Sequence, residues 1–141
     1  MTVNSARVGR RPAFTAGRVL AGIAAAAALV SAVTAIADVV GAGADTRIVE
    51  TWRMVGLAVF AGLFALLALR PHALPYLWEL VLASKLALTL AALGYQLAGS
   101  ATGTATILAA DGGLFVLLLI AYLCVRGWRA ISAPRGRAAS A

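Results

Sequence analysis

The residues of this chain that could do chemistry are a few ionisable groups inside long apolar segments. Lys85 lies near the middle of the stretch YLWELVLASKLALTLAALGYQL, residues 76–97, and Asp111 lies within another apolar stretch. A charged side chain at the centre of a membrane-spanning helix costs roughly 2.5–3.5 kcal/mol on insertion scales. Such residues persist when they face the interior of a helix bundle and find a partner. Lys85 and Asp111 are therefore the first candidates for a site.

A buried lysine beside a carboxylate supports two kinds of role. Burial disfavours the charged ammonium, so a desolvated lysine can act as a base beside a carboxylic acid, or the pair can bind a ligand or carry a proton. The same pair can instead fix the register of two helices without any ligand. Both interpretations stay open at the level of the sequence.

The composition predicts the environment of these residues. The chain has 141 residues, of which 62% are hydrophobic and 12% are charged. Soluble domains are about half apolar and a quarter charged. A soluble domain of this size could not hide so much apolar surface, because much of a small domain faces water. We therefore expect a single domain whose main partner is the lipid bilayer.

Four apolar segments, each near the ~20 residues needed to cross a bilayer, predict an all-α fold. Helices are expected because backbone polar groups within the bilayer must be hydrogen-bonded inside the segment. The links between segments are short, which favours an up-down four-helix bundle over residues 16–128. The predicted regions are a basic cytoplasmic tail at 1–15, spans at about 19–40, 52–70, 75–98 and 103–126, and a second basic, disordered cytoplasmic tail at 129–141.

Local signals place the ends of the helices. Asp45 or Thr46 is expected to cap the second helix. Pro71 is expected to end that helix, and Pro75 to lie in the first turn of the third.

The arginines predict that both ends of the chain face the cytoplasm. Cytoplasmic flanks of membrane helices collect Lys and Arg. With both ends inside, nine arginines lie on the inner side and only two, Arg47 and Arg53, on the outer side. The inner arginines are Arg7, Arg10, Arg11, Arg18, Arg70, Arg126, Arg129, Arg135 and Arg137.

The start of the chain also allows another interpretation. A basic region, an apolar core and the AIA triplet at 35–37 resemble a signal peptide with a cleavage site. The apolar run before the triplet is longer than a usual signal core, which favours a retained first helix.

Helical spacing groups the polar residues of the spans into three stripes. Residues three, four or seven apart share a helix face. Each stripe runs toward the predicted outer half, so inward-facing stripes would form a polar intramembrane pocket open to the outside. The stripes are Ser31, Thr34 and Asp38 on the first helix, Lys85, Thr89 and Gln96 on the third, and Thr104 and Asp111 on the fourth.

Lys85 has two candidate partners. At 1.5 Å per residue, Lys85 and Asp111 differ in depth by about 7 Å, roughly the length of a lysine side chain. Glu79 is the competitor on the same helix, and we favour Asp111. Glu79 is otherwise expected to pair at the inner interface with Arg70 or Arg126, and Arg53 with Glu50 at the outer one.

Small residues predict close packing. Residues 21–27, with Ala58 and Gly62, are expected to bring the first two helices together, because small side chains let membrane helices approach closely. Gly112 and Gly113 are expected to pack against the alanine-rich first helix.

Several other features predict no site. Cys124 is the only cysteine and His72 the only histidine; both are interpreted as inert, and neither a metal nor a cofactor is expected. The net charge of +7 is not interpreted as nucleic-acid binding, because the arginines flank the spans.

The whole plan of four helices with arginine-flanked ends resembles the small bacterial membrane proteins grouped as DoxX-like. The resemblance covers the architecture and carries over no functional residue. Small multidrug-resistance transporters are similar in having four short helices, but they carry a glutamate in the first one, where this chain has Asp38 near the outer end.

We expect a non-enzymatic accessory or amphiphile-binding protein of the bacterial cytoplasmic membrane, with a second copy or a membrane protein as a further partner. The alternatives are an enzyme acting on a lipid- or quinone-like substrate, or a subunit of an oligomeric proton-coupled transporter.

Overall fold

The structure, a computed structural model, describes residues 10–131 and is built from four long α-helices. Each is long and apolar enough to cross a membrane, so the chain has the form of a multi-pass membrane protein. The predicted all-α four-helix architecture is thus confirmed. Residues 1–9 and 132–141, which contain most of both predicted tails, lie outside the described residues. The helices are α1 (Arg10–Gly41), α2 (Arg47–Leu69), α3 (Leu77–Ala98) and α4 (Thr104–Val125), followed by a 3₁₀ turn at Gly127–Ala130.

The helix ends differ from the predicted ones by a few residues. Thr46 caps α2 by position, but its side chain makes no capping hydrogen bond. Helix α3 begins at Leu77, after Tyr76 in the left-handed region with φ 64°, so Pro75 precedes the helix. The link from α3 to α4 needs a left-handed residue at each end, and glycine occupies both places, Gly99 with φ 61° and Gly103 with φ 73°, where it carries no steric cost.

Helix α1 is longer than predicted and includes part of the region interpreted as a tail. It has 32 residues, or about 48 Å at 1.5 Å per residue. Contacts with other elements explain the extension: Phe14 stacks on His72 with ring centroids 5.9 Å apart. Gly17 is buried against α4, where a Cβ would lie 2.7 Å from Val125 Cγ1 and 2.8 Å from the Ala121 carbonyl oxygen.

The helices form an antiparallel bundle in which α1 holds the central place. Helix α1 packs along α2 and against α4, and α3 packs against α4. Helices α2 and α3 are neighbours in sequence but their backbones meet at only a few points. The seam between α2 and α3 is therefore closed mainly by side chains.

The core is concentrated at one end of the bundle. We call residues 10–29, 59–87 and 113–131 the terminal half, because it contains both described chain ends. Residues 30–58 and 88–112, which contain the α1–α2 and α3–α4 links, form the loop half. All the largest fully buried side chains lie in the terminal half, namely Trp78, Phe64, Leu67, Leu118, Val81 and Val125.

Small residues pack on α1 as predicted, but their partners differ. Ala21, Ala24 and Ala28 are buried and belong to the core. The buried small residue of α2 is Ala61, whereas Ala58 and Gly62 are exposed. Gly62 faces open space, since a Cβ there would have nothing within 4 Å.

Candidate intramembrane polar site

The most buried charged side chain in the described residues is that of Lys85. It lies one helical turn beyond Val81 on α3 and is 3% exposed. Its Nζ donates a hydrogen bond to Oδ1 of Asp111 on α4 at 2.7 Å. The Asp111 side chain is 16% exposed. The structure therefore contains the pair favoured from the sequence. The distance between Nζ and Oδ1 is typical of a charge-assisted hydrogen bond.

Two phenylalanines of α2 lie against the same ammonium. Nζ of Lys85 is 3.9 Å from the ring centroid of Phe60 and 5.9 Å from that of Phe64. A cation within about 6 Å of an aromatic face is attracted by the ring quadrupole. Lys85 thus joins three helices, with a carboxylate on α4 and aromatic faces on α2. This aromatic contact was not predicted, because the hydropathy pattern points only to charged partners.

The polar stripes of α3 and α4 meet along one seam. Thr89 donates to the Lys85 carbonyl oxygen at 2.8 Å, and a Cβ at Gly112 would lie 3.4 Å from Thr89 Cγ2. Farther toward the link, the buried hydroxyl of Thr104 donates to Gln96 Oε1. Gly112 therefore packs against α3, which corrects the prediction that it packs against α1. The seam is polar from mid-helix to the loop end.

The third stripe, on α1, does not join this site. Thr34 is exposed and donates to the Ser31 carbonyl oxygen at 3.0 Å. Asp38 is also exposed and binds Arg53 of α2. The prediction of one pocket shared by all three stripes is wrong for Thr34 and Asp38. The physical reason is that α1 buries its alanine face, so its polar residues lie on another side.

Asp38, Arg53 and Glu50 form a second charged cluster, at the loop end of the α1–α2 pair. Arg53 Nη2 lies 2.5 Å from Asp38 Oδ2 and 2.7 Å from Glu50 Oε2. The Arg53–Glu50 pair is the one predicted from their spacing of three residues. Arg47 lies close by and donates from Nη2 to the Ala42 carbonyl oxygen at 3.0 Å. The cluster is half exposed, so it is accessible from outside the bundle.

Glu79 has a different partner from those predicted. Its Oε1 accepts a hydrogen bond from Tyr122 of α4 at 2.8 Å, and within residues 10–131 it makes no ion pair with Arg70 or Arg126. Tyr122 packs on Trp78 with centroids 5.9 Å apart, which brings the phenol to the carboxylate. Tyr122 was not among the partners predicted for Glu79 from the sequence.

His72 makes structural contacts from the link between α2 and α3. Its Nε2 lies 2.9 Å from the Val125 carbonyl oxygen at the end of α4, which can only accept. With Phe14 stacked on its ring, His72 joins the α2–α3 link to α1 and α4. Nearby, Trp78 Nε1 donates to the Pro71 carbonyl oxygen at 2.8 Å, and Arg18 Nε to that of Ala68 at 2.7 Å. These contacts fasten the terminal half.

The described residues contain no candidate metal site, and the comparisons with known proteins show no relative. Within residues 10–131 no three His, Cys, Asp or Glu side chains are grouped so as to hold a metal ion. Comparison of the chain with protein-family models, with curated proteins and with solved structures finds no match. What the chain does is therefore argued from the Lys85–Asp111 pair and its surroundings.

Proposed function

We propose that the protein is a non-enzymatic accessory protein of the bacterial cytoplasmic membrane that binds a small amphiphile or lipid beside the Lys85–Asp111 pair. Both chain ends face the cytoplasm in this proposal, because Arg18, Arg70, Arg126 and Arg129 lie in the terminal half of the bundle and cytoplasmic flanks collect Lys and Arg. The resemblance to DoxX-like proteins in overall plan fits the same proposal.

The observation that carries the proposal is the position of the pair in the bundle. Lys85 and Asp111 lie at the level where large buried side chains end and the polar seam of Thr89, Gln96 and Thr104 begins. An ammonium has three N–H donors. Asp111 accepts one of them and the face of Phe60 lies against the group. A head group that accepts hydrogen bonds can reach the ammonium along this seam while its tail lies among apolar side chains.

The contacts favour binding over catalysis. The Lys85 ammonium is bound by the Asp111 carboxylate and covered by Phe60 and Phe64. Binding uses a remaining N–H donor of the ammonium and leaves its contact with Asp111 intact, whereas a general base must accept a proton from its substrate. An ion pair also holds α3 against α4, so the same residues order the helices around a bound molecule.

Native mass spectrometry of the full chain in mild detergent tests the proposal. We expect a co-purifying lipid or amphiphile on the wild-type protein, and one fewer bound molecule per chain on the double variant Lys85→Met/Asp111→Leu. The double variant removes both charges together and so avoids leaving an unpaired buried charge, which is the change that disrupts folding.

Glu79→Gln is the matched control, because it neutralises a carboxylate of α3 that lies outside the site. An unchanged number of bound molecules per chain on the folded double variant would refute the proposed site. Turnover of a bound lipid that depends on Lys85 would refute the non-enzymatic assignment.

A further inference from the structure

A separate groove lies between α1 and α2 in the loop half, away from the Lys85–Asp111 pair. Its apolar part has a volume of about 500 Å³ and is lined by both helices. Ala32 and Ala58 leave room at its base because their side chains are small. The larger lining residues include Leu29, Val33 and Ile36 of α1 and Met54, Val55 and Val59 of α2.

A polar groove continues the apolar one toward the loop end. Its volume is about 620 Å³, and Asp38, Glu50 and Arg53 line it. On α1 the lining passes from Ile36 through Ala37 to Asp38, and on α2 from Met54 to Arg53, so the two parts share one seam. The seam therefore changes from apolar to charged within one or two residue steps of the helix, roughly 1.5–3 Å.

The charges of this cluster define the head group that it fits. Two carboxylates share one guanidinium, so the cluster of Asp38, Glu50 and Arg53 carries one net negative charge. The ion pairs use Asp38 Oδ2 and Glu50 Oε2, and the second oxygen of each carboxylate is an acceptor. A guanidinium has five donors and suits phosphate, and Arg47 lies beside the same groove. A head group with both an ammonium and a phosphate matches these groups.

We propose that this α1–α2 groove binds a phospholipid with a primary-ammonium head group. The ammonium donates to Asp38 and Glu50, the phosphate accepts from Arg53 or Arg47, and an acyl chain lies in the apolar part. The recognition requires N–H donors on the head group, so a trimethylammonium head group of the same charge is a poorer ligand. This site is independent of the one beside Lys85 and goes beyond the proposed function.

A competition experiment on the full chain tests the head-group recognition. The protein is reconstituted with equal amounts of phosphatidylethanolamine, phosphatidylcholine and phosphatidylglycerol of identical acyl chains, and bound lipids are counted by native mass spectrometry. We expect bound phosphatidylethanolamine to exceed bound phosphatidylcholine about three- to fivefold. This is the difference in affinity that one exposed charge-assisted contact gives. Asp38→Asn/Glu50→Gln should bring this ratio to about one, and the control Asp45→Asn, whose carboxylate lies in the α1–α2 link outside the groove lining, should leave it unchanged.

A second pair of variants tests the apolar part. Ala58→Leu fills the groove and should lower total phospholipid retained, whereas Ala87→Leu, at another exposed alanine, on α3, should not. Equal binding of phosphatidylethanolamine and phosphatidylcholine by the wild type would overturn the proposal. So would a dimer that Ala58→Leu converts to monomer, because a second copy would then occupy the groove. Lys85→Met/Asp111→Leu should leave the head-group ratio unchanged, which separates failure of this site from failure of the proposed function.

Discussion

The two halves of the bundle bury different kinds of side chain. The terminal half buries large apolar residues such as Trp78, Phe64 and Leu118. The buried residues that the structure describes in the loop half are alanines and one threonine, namely Ala32, Ala35, Ala92 and Thr104. In a bilayer the hydrophobic effect does not drive helices together, so packing and polar contacts must hold them. The terminal half uses large-residue packing, and the loop half uses small residues and polar pairs.

This difference separates the tasks of the two halves. Large interlocking side chains specify one arrangement of helices, because a change of volume in a close-packed core is costly. Small residues and exposed polar pairs leave grooves and accessible head-group ligands. The α1–α2 groove lies in the loop half, where the bundle leaves such groups accessible, and the Lys85–Asp111 pair lies at the border of that half.

Trp78→Ala is expected to give the largest effect. The indole is 1% exposed, and its removal leaves a cavity and the Pro71 carbonyl oxygen without its donor. Removal of a buried aromatic side chain costs about 3–5 kcal/mol. The free energy of unfolding, measured by denaturant titration in mild detergent, should fall by that amount.

Trp52→Ala in the loop half is the matched control. Trp52 is 75% exposed, and exposed substitutions usually change stability by less than about 0.5 kcal/mol. Similar losses in the two variants would contradict the contrast between the halves.

Changes at Lys85 and Asp111 are expected to come next, and they test the border between the halves. Asp111→Leu leaves a buried ammonium without its carboxylate, which costs about 3–5 kcal/mol. Lys85→Met/Asp111→Leu removes both charges and should return the unfolding free energy to near the wild-type value, because a buried ion pair replaced by apolar residues is often neutral. Thermal melting in the same detergent compares the two. A double variant as unstable as the single one would mean that the pair does not act as a unit.

Much of the fold was predictable because the bilayer restricts the choices. The hydrophobic length of each span, the short links and the proline and glycine positions predict four antiparallel helices. The length of α1 was not predictable in the same way. Residues 10–15 belong to the predicted tail, and they are helical because Phe14 and Gly17 pack on other elements.

The site was predictable only in part. The helical spacing that places Lys85, Thr89 and Gln96 on one face, and Thr104 and Asp111 on another, depends on local geometry and matches the seam of the structure. The order of helices around the bundle depends on which helix surfaces pack together, and local spacing in the sequence does not predict this. Asp38 was therefore assigned to the wrong site, and Phe60 was missed.

Gly17→Ala should give the smallest loss, and it sharpens the comparison because it adds a single methyl group. The new Cβ would lie 2.8 Å from the Ala121 carbonyl oxygen and 2.9 Å from Cys124 Cβ, so α1 and α4 must separate. Overpacking of this kind costs about 1–3 kcal/mol. Gly94→Ala in the loop half has no atom within 4 Å of the added Cβ and should be neutral or stabilising by up to about 1 kcal/mol, since alanine favours helix over glycine. Denaturant titration measures the change in the free energy of unfolding for each variant. We expect changes of opposite sign. Changes of equal sign would mean that the α1–α4 crossing is looser than the contacts at Gly17 indicate.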